Sequence, residues 1–369
     1  MITADLLPLG QAIPAKSLKK DYVKVEDKPF GQPAFGYSMV LPNTWLQLKI
    51  TAPDSRLEVE HPKLLATYLG PKDGEANAMV QVWCQGLIRE IAAGDWLKDF
   101  LSRGNVGILT LEIRSPYLAD ALILRQEGPV SLKTRISARL EGNRLFLVQG
   151  IAPEDIFPAY ADIFGLAVSS FKPTLIGDNP HVELWQTQIL DETVTFNAPF
   201  SWLERRPKAP TGLALVDLYN LNGSAEPVGI LKVMSVRRSL TSGKQGLDLP
   251  ALLIAEFTKA GLQVTEVAAD ETFEARRPFS NGTLKICKGI LPQAKDQRLQ
   301  NLLVLQVDAA SHHVLVGLLT CAPKEGFYEY AVNRRAFDIV LETLNLQSPA
   351  PAKQKPAPVK AKKPAGRRG

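Results

Sequence analysis

Four histidines and three cysteines are the residues of this 369-residue chain best suited to hold a metal or attack a carbonyl. A zinc site needs three or four Cys, His, Asp or Glu ligands at close spacing. His61, His181, His312 and His313 are scattered, and the adjacent His312 and His313 point to opposite sides if their segment is a strand. That pair reads as a surface hairpin position. Cys84, Cys287 and Cys321 lie inside apolar, strand-like runs, and none neighbours a histidine. Reduced, buried thiols of a cytoplasmic protein are expected here, over a disulfide between Cys287 and Cys321. No Gly-x-Ser-x-Gly elbow occurs, so nucleophilic catalysis has no positive signal.

Phosphate and acid/base chemistry fare no better. Ser242-Gly243-Lys244-Gln245 lacks both the upstream glycine and the hydroxyl residue of a Walker loop, and no Gly-x-Gly-x-x-Gly follows a strand. Glu154-Asp155 fits the first turn of a helix, where the dipole favours acids, and Glu271 and Glu274 stand beside arginines in a polar stretch. What remains is positive charge. Four diarginine steps, Arg205-Arg206, Arg237-Arg238, Arg276-Arg277 and Arg334-Arg335, would make a carboxylate or phosphate site if they converged. From residue 349 onward Lys353, Lys355, Lys360, Lys362, Lys363, Arg367 and Arg368 stand with no acid, so removing these seven charges takes the formal +5 to −2. The basic balance belongs to the tail, and the rest of the chain is not a basic nucleic-acid-binding body.

The elements that position these residues occur twice. Pro42-Asn43-Thr44-Trp45-Leu46 returns as Pro199-Phe200-Ser201-Trp202-Leu203, and Phe100 and Gly104 return as Phe257 and Gly261, all 157 positions apart. Two copies of one domain are expected. A lead-in at 1–24 precedes domain 1 at 25–173, a linker at 174–181 holds Gly177-Asp178-Asn179-Pro180, and domain 2 spans 182–347. The Pro/Ala/Lys composition of 348–369 predicts a disordered tail. The N-terminus lacks a basic n-region and a long apolar run, and no stretch approaches 18 uninterrupted apolar residues, so no transmembrane segment is expected.

Each copy shows the same order. A short strand ends at Pro42 or Pro199, and near-continuous apolar runs at 78–84 and 228–234 read as mid-sheet strands. Helices follow, capped by Asp95 and by Asp248 with Pro250 and closed by Gly104 and Gly261. Strands are expected at 108–113, 121–124, 131–140 and 144–151, with Glu141-Gly142-Asn143 as a hairpin turn, and at 264–267, 282–290, 301–307 and 313–320. A closing amphipathic helix opens at Ala152-Pro153 and again at Ala322-Pro323. The offset there is 170, which implies an insertion of about 13 residues near 292–297.

A strand ending in Leu41-Pro42-Asn43-Thr44-Trp45, a helix, a run of antiparallel strands and a closing helix after Ala-Pro resembles the PsbP/Mog-type fold. That α/β/α sandwich family includes a photosystem II extrinsic subunit, a Ran-binding import factor and chaperones of type VI secretion effectors. The likeness spans about 33–173 and 192–346, with Ala198 in place of the leucine in the second copy. The expected fold class is therefore α+β, two tandem antiparallel sheets flanked by helices. The resemblance implies a non-catalytic protein-binding module without cofactor: an adaptor, chaperone or assembly component, in a secretion system. The alternative is a salt-sensitive binder of nucleic acid or an anionic membrane. Arg205, Arg206, Arg237, Arg238, Arg276, Arg277, Arg334 and Arg335, with Lys360, Lys362, Lys363, Arg367 and Arg368, are the candidate partner contacts.

Overall fold

The computed structural model describes residues 13–347 apart from 49, 51–55, 74–75, 105, 243–247 and 293–297. The tail, residues 293–297 of the expected insertion and Gly243-Lys244-Gln245 lie outside the described residues. The first domain runs α1 (Ala15–Asp21), β1 (Tyr22–Asp27), β2 (Tyr37–Pro42), β3 (Leu46–Leu48), β4 (Lys63–Asp73), β5 (Ala76–Gly86), α2 (Ala93–Arg103), β6 (Gly107–Ser115), β7 (Leu118–Glu127), β8 (Val130–Glu141), β9 (Arg144–Pro153), α3 (Phe157–Ser170) and β10 (Lys172–Pro173). The second repeats it with β11 (Trp185–Leu190), β12 (Val194–Pro199), β13 (Leu203–Arg205), β14 (Leu213–Leu221), β15 (Pro227–Arg237), the short α4 (Arg238–Thr241), α5 (Leu249–Lys259), β16 (Gln263–Phe273), β17 (Ser280–Ile290), β18 (Leu299–Asp308), β19 (His312–Cys321), α6 (Phe327–Thr343) and β20 (Asn345–Leu346).

Each domain is a seven-stranded antiparallel sheet with a three-stranded sheet beside it. The large sheets are ordered β3-β4-β5-β9-β8-β7-β6 and β13-β14-β15-β19-β18-β17-β16, the small ones β1-β2-β10 and β11-β12-β20. Strands covered on both faces need apolar residues on both, which is why β5, β9, β15 and β19 read as continuous apolar runs. In β5, Ala78, Val80, Val82 and Cys84 face the core beneath α3, together with Tyr37, Met39, Phe146 and Phe164. The matching core of the second domain joins Phe196, Leu231, Val233, Val316 and Phe337 beneath α6. The other faces carry α2 and α5. Gly142, at φ +56, makes the β8–β9 turn, a backbone state that glycine adopts without strain.

The repeated tryptophans anchor the turn after the first core strand. Trp45 N–H donates to Pro42 O at 3.1 Å and Trp202 N–H to Pro199 O at 3.2 Å. Both indoles are buried, Trp45 in edge contact with Tyr160 and Phe164 at 6.3 Å each.

Several local expectations shift. Asp95 is not the cap of α2 but lies in its first turn, where it pairs with Lys98 at 3.4 Å; Ala92 precedes the helix. Asp248 does cap α5, its carboxylate accepting from Ala251 N at 3.1 Å. Pro153 and Pro323 do not open the closing helices. Strand pairing continues to Pro153, a turn follows, and α3 starts at Phe157 with Pro158 in its first turn, while α6 starts at Phe327. Glu154 accepts from Ser131 Oγ at 2.9 Å and is not a first-turn acid. β1 begins at Tyr22, ahead of the expected start at Val25, and α1 before it buries no residue. α2 and α5, eleven residues each, begin 156 positions apart. In packing terms Leu101, not Phe100, therefore matches Phe257.

The domains meet through α6. Its Ala331 and Val332 join the first domain's cluster around Trp96 and Leu97, so α2 lies between its own sheet and the neighbouring domain's helix. Polar groups complete the junction. Glu90 accepts from Trp185 Nε1 at 2.8 Å and from Glu183 N at 3.3 Å, while the Glu183 carboxylate accepts from Glu90 N at 3.2 Å. Arg335, 3% exposed, lies over the Trp185 ring and bonds Glu342 at 2.8 Å. His181 stacks on Trp185 and meets Tyr117 Oη at 3.2 Å.

Candidate functional site

The α2 face of the first sheet is not filled. A cavity of about 750 Å³ lies there, floored by Gln81, Trp83 and Gln149 from β5 and β9 and bounded by Leu101 of α2, Ile136 of β8 and Tyr328 of α6. Its origin shows when the two copies are laid on each other by strand register. β5 pairs with β9 so that Gln81 faces Gln149; β15 pairs with β19 so that Lys232 faces Gly317. In the second domain a Cβ on Gly317 would come within 2.7 Å of Phe257 and 2.9 Å of Leu253, so the glycine is what lets α5 settle on the sheet. Lys232 lies 5.5 Å from the Phe257 ring centre and is buried against Asp217 at 2.8 Å. The first domain has Gln149 where the second has Gly317. The helix cannot close over an amide side chain, and the smaller Leu101 does not fill the space that Phe257 fills.

The cavity wall is apolar with a few neutral polar groups. Trp83 Nε1 and Gln85 Oε1 are buried without a hydrogen-bond partner among the described residues, and Gln85 is 7% exposed. Its Nε2 is held by Val59 O, which fixes the amide. Of the charges near the rim, Asp99 pairs with Arg103 and Arg125 with Glu127 at 2.8 Å, while Glu60 and His61 are exposed and Arg125 Nε is buried without a partner among the described residues. Burial pushes the Asp99 carboxyl up despite Arg103, and burial likewise raises the Tyr328 phenol.

A second feature recurs in both copies. β3 and β13 are the outermost strands of the large sheets, and every residue in them is exposed. Leu46 is 71% and Leu203 58% exposed, at matching positions directly after the buried tryptophans.

Most of the diarginine side chains are engaged by acids or carbonyls. Arg206 pairs with Glu204 and donates to Gln188 Oε1 at 2.7 Å. Arg237 grips Asp191 with two bonds of 2.7 Å, while Arg238 lies 3.8 Å from Asp308. Arg276 donates to Glu342 O at 3.1 Å, and Arg334 bonds Asp338 at 3.0 Å. Arg205 and Arg277 are exposed, and Arg335 is enclosed at the domain junction. The tail, with Lys360, Lys362, Lys363, Arg367 and Arg368, lies outside the described residues.

His181, His312, His313 and the cysteines are held by packing or polar contacts, while His61 is exposed at the cavity rim. His312 lies between Ser311 Oγ at 2.8 Å and Asp191 at 3.2 Å, and His313 between Asp308 at 2.6 Å and Thr241 Oγ1 at 3.1 Å. Thr241 donates its proton to Arg238 O at 2.9 Å, which makes it a poor nucleophile. No group of three metal-ligating residues occurs among the described residues. All three thiols are free and buried, and burial pushes Cys84 up to about 12 and Cys321 to about 11. No described helix is long and apolar enough to cross a membrane.

No family model and no curated protein matches this chain. Among solved structures it is similar to cyanobacterial PsbP (CyanoP) from Synechocystis sp. PCC 6803, at 15% identity over 45% of this chain and 99% of that one, with a TM-score of 0.33. It is also similar to the apo immunity protein TplEi of the type VI secretion system of Pseudomonas aeruginosa, at 9% identity over 88% of this chain and 97% of that one, with a TM-score of 0.22. Superpositions this loose carry no weight of their own, and the architecture rests on the strand order and registers above.

The cavity could not be read from any one motif. Its signal is three glutamines, Gln81, Gln85 and Gln149, on one face of strands that are otherwise apolar.

Proposed function

We propose that this chain is a non-catalytic protein-binding module, an adaptor, chaperone or assembly component, which engages its partner along the sheet edges that the two copies repeat. The observation that carries this is the exposure of Leu46 and Leu203 on outer strands paired on one side only among the described residues. An edge strand offers a row of unpaired N–H and C=O groups to an extended segment, and apolar side chains beside it add affinity. Two such edges on one chain let a partner bind twice, so that the second contact is intramolecular. A bacterial secretion machine is the setting that this reading takes from the family resemblance. The engaged arginines weigh against a nucleic-acid role for the described residues.

Affinity capture of the full chain from native cells, followed by mass spectrometry, tests the proposal. Leu46→Lys and Leu203→Lys should each weaken retention of the partner, and the double variant should lose it, with thermal stability unchanged because both residues are exposed. Retention by the double variant at the wild-type level, or a chain that always purifies alone, overturns it.

A further inference from the structure

We propose that the first domain is also a receptor for a neutral, planar, ring-bearing small molecule that carries both a hydrogen-bond donor and an acceptor. The site is the cavity between α2 and the sheet, and nothing in the edge-binding role requires it. Its volume of about 750 Å³ lies within the ~300–1,000 Å³ range that encloses small organic ligands. Trp83 and the Trp96–Phe100 pair, stacked at 5.0 Å, supply flat aromatic surface around it.

The polar groups say what the ring must carry. Trp83 Nε1 is a donor without an acceptor, and Gln85 Oε1 an acceptor without a donor. Buried polar groups in folded proteins are paired in the great majority, because an unpaired one loses its hydration for nothing. A ligand with a carbonyl and an N–H or O–H would satisfy both. Asp99 is matched by Arg103 and Arg125 by Glu127, so a charged ligand meets no uncompensated countercharge there, while the buried, unpaired Arg125 Nε offers a further donor to the ligand's acceptor. The second domain is the built-in contrast: the same space is taken by Phe257 and Lys232 over Gly317. Tyr328 of α6 forms part of the wall, so the neighbouring domain contributes to the site.

Titration of the full chain with naphthamide, read by intrinsic fluorescence and by the indole N–H resonance of Trp83, tests the proposal. The resonance is assigned with Trp83→Phe. Naphthamide should bind one to one and move that resonance, whereas naphthalene and naphthoate should bind at least ~10-fold more weakly. Leu101→Trp and Ile136→Trp, which plug the cavity from opposite walls, should each lower naphthamide affinity by at least ~10-fold. No saturable binding, an unmoved Trp83 resonance, or a folded plug variant that binds as well as wild type overturns the proposal. Should both plugs fail to fold, the Trp83 resonance decides alone. Leu46→Lys with Leu203→Lys should leave naphthamide binding intact, which separates this site from the edge.

Discussion

The two domains share strand order and helix placement yet differ inside: one is hollow at the centre of its α2 face, while the other is filled there by Phe257 and keeps only a cleft of about 300 Å³ at the start of α5. Two exchanges at the sheet centre account for this. Gly317 admits Phe257 onto the sheet and Lys232 with Asp217 fills what is left, while Gln149 holds α2 away and Gln81 lines the resulting space. A duplicated fold keeps its backbone through core changes of this size because packing tolerates substitution better than it tolerates lost pattern. The solid copy therefore shows what the hollow copy gave up. It also shows that the cavity is not a property of the fold.

The contrast predicts unequal losses from equivalent truncations. Phe257→Ala removes a fully buried ring from a filled core and should cost about 3–5 kcal/mol, whereas Leu101→Ala enlarges an existing cavity and should cost about 2 kcal/mol. Urea unfolding of both variants measures the difference, and equal losses would mean that the first face is as tightly packed as the second. Grafting the hollow copy's residue into the solid one comes next. Gly317→Gln drives a side chain into Phe257 and Leu253, so α5 must lift, at about 1–3 kcal/mol. Naphthamide binding by that variant at a second site would show that one exchange suffices to open the face.

Much of this was legible in the residues, and what was not has a common cause. The doubling, the mid-sheet strands at 78–84 and 228–234, the β8–β9 hairpin and the closing helices follow from periodicity and turn residues, which act locally. β4 and the flanking β1 and β11 escaped because charged or polar residues, and in β4 Gly and Pro, interrupt their apolar pattern, and β14 escaped although only Asp217 and Asn220 break its run; tertiary pairing holds all four in place. The helix starts moved because strand pairing continues to Pro153 and Cys321, which outweighs the Ala-Pro signal. The cavity escaped for a deeper reason. Gln149 and Gly317 are 168 positions apart and Gln81 and Lys232 151, so neither pair falls on the 157 offset that revealed the repeat. Only β-register brings them into correspondence.

The junction between the copies should respond to pH with a smaller effect. Burial raises the Glu90 carboxyl above its usual 4.5, against the lowering by Trp185 and the Glu183 amide. Because the folded value is raised, the folded chain favours protonated Glu90. Its contribution is full below the ordinary carboxylate range and is lost as pH climbs through the raised value. Glu90→Gln retains an acceptor for Trp185 Nε1 without the charge. The wild-type-minus-variant difference in thermal midpoint should fall as pH rises from acidic to neutral, and a flat difference would show that Glu90 titrates as it does in the unfolded chain. Taking the difference removes opposite contributions such as Asp191, which the hydrogen bond from Arg237 holds down.

The smallest effect is expected at the outer surface of the solid copy. Trp96 of α2 is buried because α6 of the second domain covers it, whereas Leu252, at the same helix position in α5, is 42% exposed and has no described neighbour domain over it. Leu252→Lys should therefore change unfolding free energy by no more than about 0.5 kcal/mol, as exposed substitutions away from caps and cores do. The measurement sharpens the comparison in one direction especially. A larger loss that grows with protein concentration would mean that α5 is covered in solution by a second copy, and the α2–α6 contact inside the chain would then be one instance of a contact that also forms between chains.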